Sequence, residues 1–361
     1  MVLRRLSLLN YKNLDQVDFQ FDAHVNCFVG KNGVGKTNAL DSIYALAFGK
    51  SYFNPITTQN IRHGSDFFVI DGKFDFAKQE ERIILSVKKG QKKVIKRNGK
   101  TYQRLADFVG HIPLVIISPS DRDLITEGSE VRRKFLDGII SQSNNNYLQH
   151  LLNYNKVLGQ RNALLKFFAA NRTFNQNNLD VYDEQLVQYG SYIFEKRQDF
   201  LTTYLPMLKK RYIDISGNEG EEIGLFYKSQ IKEGDFLQLI KNSLQEDLKK
   251  QYTTVGIHKD DLRFKLNEYP IKKFGSQGQQ KSFLIALKFA QYDFLSDLRG
   301  IKPILLLDDI FDKLDENRVT QIISMIMRDD LGQLFISDTH AERTENVVKA
   351  NTSNYKMIHL K

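Results

Sequence analysis

Residues Gly30-Lys31-Asn32-Gly33-Val34-Gly35-Lys36-Thr37 fill the pattern G-x-x-x-x-G-K-[ST] and follow the apolar run Val25 to Val29. Glycines at 30, 33 and 35 allow a tight turn that points several backbone N–H groups at phosphate oxygens. A helix starting near Lys36 aims its positive dipole end at the same anion. Lys36 then reaches the β- and γ-phosphates of a nucleotide, and Thr37 puts its hydroxyl on Mg²⁺. The pattern carries this meaning only between a strand and a helix, and the sequence supplies both. β-Branched and aromatic residues precede Gly30, and Thr37 to Leu46 places apolar residues at helical spacing.

With 361 residues, 41% hydrophobic and 26% charged, the chain is long enough for two domains and a large core. No run approaches the roughly 18 apolar residues of a membrane span. Met1 to Tyr11 alternates rather than forming the apolar core of an export signal. The single cysteine, Cys27, excludes an internal disulfide framework and a multi-cysteine zinc site, and suits a reducing cytosol. Basic residues outnumber acidic ones 52 to 43, a net charge of +9, so an anionic partner is expected. From Lys88 to Arg104 basic residues recur without an intervening acid, around the hairpin-turn pair Asn98-Gly99. Such a run suits DNA phosphates and a solvated hairpin tip equally.

Val17-Asp18-Phe19-Gln20-Phe21 alternates as a half-exposed strand, and Phe67 to Val94 holds apolar runs and polar turns that suggest an antiparallel sheet. Leu114-Val115-Ile116-Ile117 is a further strand, stopped by Pro119. After Gly128 the period changes. Leu151, Leu158 and Leu165 fall seven apart, with Tyr154 and Phe168 in the second seam position. Tyr182, Leu186, Tyr189, Ile193 and Phe200 continue the pattern beyond the polar turn Asn171 to Asn178. Two antiparallel helices of at most about 25 residues each account for this, a hairpin roughly 35 to 40 Å long. Separate amphipathic helices on a core are the alternative. The expected organisation is an α/β head built from 1–125 and 250–361, interrupted by a helical lobe over 126–249.

Phe274-Gly275-Ser276-Gln277-Gly278-Gln279-Gln280-Lys281 leads into a helix with Phe283, Leu287, Ala290 and Phe294 on one stripe. Alone, this is an ordinary capped helix start. Ile304-Leu305-Leu306-Leu307-Asp308-Asp309 changes its meaning, because four aliphatics ending in two acids read as a Walker B strand. Asp308 is expected to hold the magnesium and Asp309 to polarise the attacking water. A strand ending in solvated acids is the plain alternative. His340, just past the strand Leu334-Phe335-Ile336-Ser337, is positioned to sense a γ-phosphate, although a lone histidine there is more often a surface residue.

A phosphate loop, a helical lobe, a Ser-x-Gly-Gln turn and a Walker B strand, in that order, resemble the ABC-type ATPase heads of SMC-like proteins. Asn32 and Asn38 frame the loop as that branch does. Further motifs resemble a bacterial group within it that serves DNA replication and repair. They are Pro119-Ser120-Asp121 with Arg132-Arg133-Lys134-Phe135-Leu136-Asp137, then Gly256-Ile257-His258-Lys259-Asp260-Asp261, then Ser276 to Lys281, then Leu306 to Asp309 with Leu314-Asp315. The resemblance implies ATP and Mg²⁺ bound by residues 30–38 and Asp308, with Lys36, Asp309 and His340 in the catalytic set. Ser276, Gln277, Gly278 and Gln279 would cap the γ-phosphate from a second subunit, making ATP the bond of a homodimer. It further implies slow hydrolysis, sequence-independent binding of gapped or junction DNA, partners of the RecR and RecO mediator type, and loading of RecA. Departures are Ile257, Lys259 and Lys281, where the family usually has proline, arginine and arginine; lysine lacks the bidentate fork. The signature's leucine and first glycine are Gly275 and Gln277 here. No glutamine stands out as a Q-loop residue. Rival readings are an SMC-type chromosome tether, against which the short hairpin speaks, and a transporter ATPase subunit, whose signature would read closer to L-S-G-G-Q.

Overall fold

The computed structural model describes residues 1–361 except 77–78, 218–219, 310–315 and 329–330. Leu314 and Asp315 therefore lie outside the described residues. The chain packs as two compact units, 1–121 with 285–361, and 122–284.

The first unit opens with β1 (Val2–Tyr11) and β2 (Leu14–Gln20), which alternate as half-buried strands do. Leu3, Leu6 and Leu8 are buried, whereas Arg5 points to solvent and pairs with Asp18 at 2.5 Å. In β3 (Val25–Val29) all five residues are buried, the pattern of a strand covered on both faces. β4 (Phe67–Phe76), β5 (Gln79–Lys88), β6 (Val94–Arg97) and β7 (Lys100–Thr101) join β1 and β2 in an antiparallel sheet of order β2-β1-β4-β5-β6-β7. Asn98 and Gly99 turn β6 into β7 with φ of 49° and 81°, both left-handed as a tight hairpin requires. β8 (Leu114–Ile117) is buried throughout.

The second unit carries the helices Ser129–Ser143, Asn145–Asn171 and Gln176–Ser216, then β9 (Ile223–Lys228), β10 (Asp261–Leu266) and β11 (Tyr269–Pro270) in a small antiparallel sheet. The helical hairpin is present, with 27 residues in its first helix and 41 in its second. The second far exceeds the expected length of about 25. It runs through Pro206 because the buried stripe continues as Tyr204, Leu208, Tyr212 and Ile215, whose packing outweighs the roughly 3 kcal/mol an interior proline costs.

The seam also differs from the expected one. Its buried line is Tyr154, Val157, Arg161, Leu165 and Phe168 on one helix, and Leu179, Asp183, Leu186, Gly190, Ile193, Arg197 and Phe200 on the other. Leu151, Leu158, Tyr182 and Tyr189 are only half-buried. Charged residues occupy seam positions because their partners are buried with them. Arg161 bonds Asp183 and Asp247, each at 2.6 Å, and Arg197 bonds Asp137 at 2.9 Å and Asp260 at 3.1 Å.

The chain then completes the first unit with β12 (Ile304–Asp308), β13 (Leu334–Asp338) and β14 (Tyr355–His359). With β3 and β8 they form a parallel sheet of order β14-β3-β13-β12-β8. The helix Lys36–Phe48 follows β3 and buries Ala39, Leu40, Ile43 and Leu46 in the core with Phe28, Leu306 and Phe335. Register places Asp308 beside Ser337 and Asp338 beside Val29, so β3, β12 and β13 end at one edge. Ligands of open parallel sheets bind outside that carboxyl edge. Among the described residues, no helix is long and apolar enough to cross a membrane.

Candidate nucleotide-binding site

The expected phosphate loop follows β3 at this edge. Gly30, Gly33 and Gly35 have φ of 154°, 85° and 110°, so the turn uses backbone conformations that side chains resist. A Cβ on Gly30 would lie 2.5 Å from the Leu360 carbonyl oxygen, and one on Gly35 would lie 2.7 Å from a Leu14 methyl carbon. Lys31, Asn32 and Gly33 are exposed and Val34 half-buried. Lys36 opens the helix, buried, with Nζ donating to the carbonyls of Gly30 at 2.9 Å and Lys31 at 3.0 Å. The ammonium thus lies across the loop, where a phosphate can replace those carbonyls.

Thr37, one residue further, donates from Oγ1 to Asp308 Oδ1 at 2.9 Å, across 271 positions of sequence. Ser337 Oγ donates to the same oxygen at 2.7 Å and accepts from the Asp309 N–H at 3.1 Å. Asp309 has φ 46°, a left-handed conformation that aspartate tolerates better than most residues. Burial pushes the Asp308 carboxyl above its ordinary pKa, against the lowering effect of the Ser337 and Thr37 bonds. A desolvated carboxylate beside a hydroxyl gains most from a cation. The donor set fits Mg²⁺, which binds one or two carboxylates together with phosphates. Among the described residues, no group of three or more His, Cys, Asp or Glu forms a self-sufficient metal cage.

His340 stands exposed beyond β13, three residues past Ser337, where its carbonyl accepts from the Thr344 N–H at 3.1 Å. Asn38 donates to Asn13 Oδ1 at 2.7 Å, and Asn13 donates to the Gly33 carbonyl at 2.9 Å. Asn13 and Ser337 were not evident from sequence. Ser337 sits at the end of a strand, as Asp308 does, but only the register sets them side by side.

The Ser276 turn belongs to the second unit. Ser276 N–H donates to Gln279 Oε1 at 2.7 Å and Gln279 N–H donates to Ser276 Oγ at 3.2 Å, a reciprocal capping box at the start of the helix Gln277–Arg299. Gln279 Nε2 also donates to Glu221 at 2.8 Å. Ser276 and Gln277 are exposed and Gly278 half-buried. The serine oxygen is used as an acceptor, so its O–H is the part available to an anion. Part of the basic run is already engaged: Arg97 pairs with Glu81, Lys89 with Asp66, and Lys93 donates to the Gly49 carbonyl.

A parallel sheet with a phosphate loop after one strand, an acid pair after another and a separate capped Ser-x-Gly-Gln turn defines an ABC-type P-loop ATPase head. The family described as the RecF/RecN/SMC N terminal domain matches residues 2–359. DNA replication and repair protein RecF of Flavobacterium johnsoniae is 57% identical over 360 residues, covering 100% of both chains. That of Bacteroides fragilis is 46% identical, covering 99% of this chain and 96% of its own. A solved structure described as the recombination mediator protein RecF-ATPrS in the RecFOR pathway superposes with a TM-score of 0.88 at 30% identity, covering 99% of this chain and 96% of that one. An Smc head bound to the C-winged helix domain of ScpA shares the fold at a TM-score of 0.57 and 15% identity, covering 99% and 94%. The chain belongs to the RecF family of DNA replication and repair proteins.

Proposed function

We propose that this protein is an ATP-dependent DNA-binding switch of recombinational repair and replication, acting in the cytoplasm. The observation that carries the reading is the hydrogen-bond chain Thr37–Asp308–Ser337–Asp309 beside the phosphate loop. Residues 30–38 bind the triphosphate of ATP through backbone N–H groups, and Lys36 leaves its carbonyl acceptors for the β- and γ-phosphates. Thr37 and Asp308 would hold Mg²⁺, which would supply neutralisation of phosphate charge there. The exposed Ser276 hydroxyl and the Gly278 backbone of a second copy cap the γ-phosphate, with Gln277 and Gln279 shaping that turn. The functional head then comprises 1–125 and 250–361, since the Ser276 turn belongs to its chemistry although 250–284 packs with the second unit.

Asp309 accepts a proton from water as the oxygen attacks the γ-phosphorus, and ADP leaves with inorganic phosphate formed. His340 contacts the γ-phosphate and reports its loss. Hydrolysis removes the bridging charge, so the two copies part. DNA stimulates this slow reaction, and the exposed lysines of the basic run contact phosphates without reading sequence. A relative described as a recombination mediator in the RecFOR pathway supports that pathway as the setting, with RecR- and RecO-type partners; gapped DNA and RecA loading follow from the family resemblance.

Sedimentation of the purified chain, with and without ATP, on gapped and on intact duplex tests the reading. An ATP-dependent dimer retained on gapped DNA is expected. A chain that stays monomeric with ATP and shows no ATP-dependent retention refutes it.

A further inference from the structure

Two aromatic rings stand in solvent beside the Ser276 turn. Tyr269 in β11 is 59% exposed, and Phe274, the last residue of the short helix Ile271–Phe274, is 65% exposed. Their ring centroids lie 5.1 Å apart at 52°. Ile271, between them in sequence, is buried and anchors the segment, so the core has its residue and the two rings are left outside. Aromatic side chains ordinarily bury about 150–250 Å² each. Two touching rings are a small apolar patch, and its position decides what covers it.

Phe274 precedes Ser276 by two residues, so their Cα atoms are at most roughly 7 Å apart. A stable interface covers about 800 Å² on each partner, a patch roughly 30 Å across. A seam of that size centred on Ser276 reaches Phe274, and Tyr269 with it. The rings meet at 52° instead of offering parallel faces, which suits a knob packed into protein better than a platform on which bases stack. Between the rings in sequence, Lys272 Nζ donates to the Thr126 carbonyl at 2.5 Å, and buried Ile271 ties the same segment to the core.

We infer that Tyr269 and Phe274 form an apolar anchor that a second copy of this chain covers when ATP joins the two. The inference rests on the dimer reading above. ATP supplies the charge that bridges the copies, and the anchor supplies apolar burial that persists only while they are joined.

The test uses the full chain with ATP and Mg²⁺. Tyr269→Ser/Phe274→Ser is compared with wild type, with Ser276→Arg, and with Tyr269→Leu/Phe274→Leu by sedimentation equilibrium. Monomer ATP affinity and melting temperature report folding. The serine pair is expected to raise the dimer dissociation constant roughly thirtyfold or more, at unchanged monomer ATP affinity, and the leucine pair to restore most of it. If the serine pair dimerises like wild type while Ser276→Arg does not, the anchor is refuted and the dimer reading stands. If wild type itself fails to dimerise with ATP, both fall. A serine pair that dimerises normally but loses gapped DNA overturns the inference in favour of a nucleic-acid contact.

Discussion

Ser337→Ala tests whether the bond chain at the sheet edge organises the metal and the attacking water together. The serine hydroxyl donates to Asp308 at 2.7 Å and accepts from the Asp309 N–H at 3.1 Å, so one deletion touches both acids. A hydrogen bond to a charged acceptor contributes about 1.5–3 kcal/mol, and a buried donor deprived of its partner costs about 1–3 kcal/mol. Asp308 keeps its Thr37 bond but loses the other bond offsetting its burial. Asp309 loses the acceptor that holds its left-handed backbone at φ 46°. Groups that orient metal ligands typically contribute 10–100-fold to metal affinity. Calorimetric titration with ATP should therefore show the Mg²⁺-dependent part of the affinity falling about 10–100-fold, with Mg²⁺-free binding unchanged. Ser337→Thr, which keeps the hydroxyl, should restore it. Wild-type Mg²⁺·ATP affinity and melting temperature in Ser337→Ala would show that the serine is incidental.

Burial raises the pKa of Asp308 above 3.8, so its contribution to stability is present below that value and lost as pH rises through the folded pKa. At pH 7 its charge opposes the ligand-free fold, and Asp308→Asn should melt higher than wild type without ligand yet lose the Mg²⁺-dependent stabilisation by ATP in scanning calorimetry. Gly30→Ala places a Cβ 2.5 Å from the Leu360 carbonyl oxygen at φ 154°, and should cost about 1–3 kcal/mol in denaturant titration while abolishing ATP binding. Burial lowers the His258 pKa from 6.5 to about 4, with Nε2 against the Thr253 carbonyl at 3.0 Å and Nδ1 against Tyr154 Oη at 2.8 Å. A depressed histidine pKa makes stability present above 6.5 and lost as pH falls toward about 4, so chemical denaturation should weaken over that window and His258→Gln should flatten the slope.

Some features were decided by short stretches of sequence. The phosphate loop, its flanking strand and helix, and the run of four aliphatics before Asp308 are local, because glycine conformations, helical spacing and strand burial each act over a few neighbouring residues. The helical hairpin was legible for the same reason, through its heptad spacing. Its true seam was not, because apolar counting passes over Arg161, whose partner Asp247 lies 86 positions away and makes its burial possible. The length of the second helix was equally hidden, since an interior proline disfavours a helix locally and the packing of Tyr204, Leu208 and Tyr212 is what carries the helix past Pro206. Ser337 gained its place beside Asp308 from strand register, and Asn13, in the turn between β1 and β2, gained its place beside the loop from tertiary packing. Local sequence decides what each element is; which elements end together, and so which side chains share a charge or a hydrogen bond, is set by pairing between residues far apart in the chain, such as Thr37 and Asp308 at 271 positions.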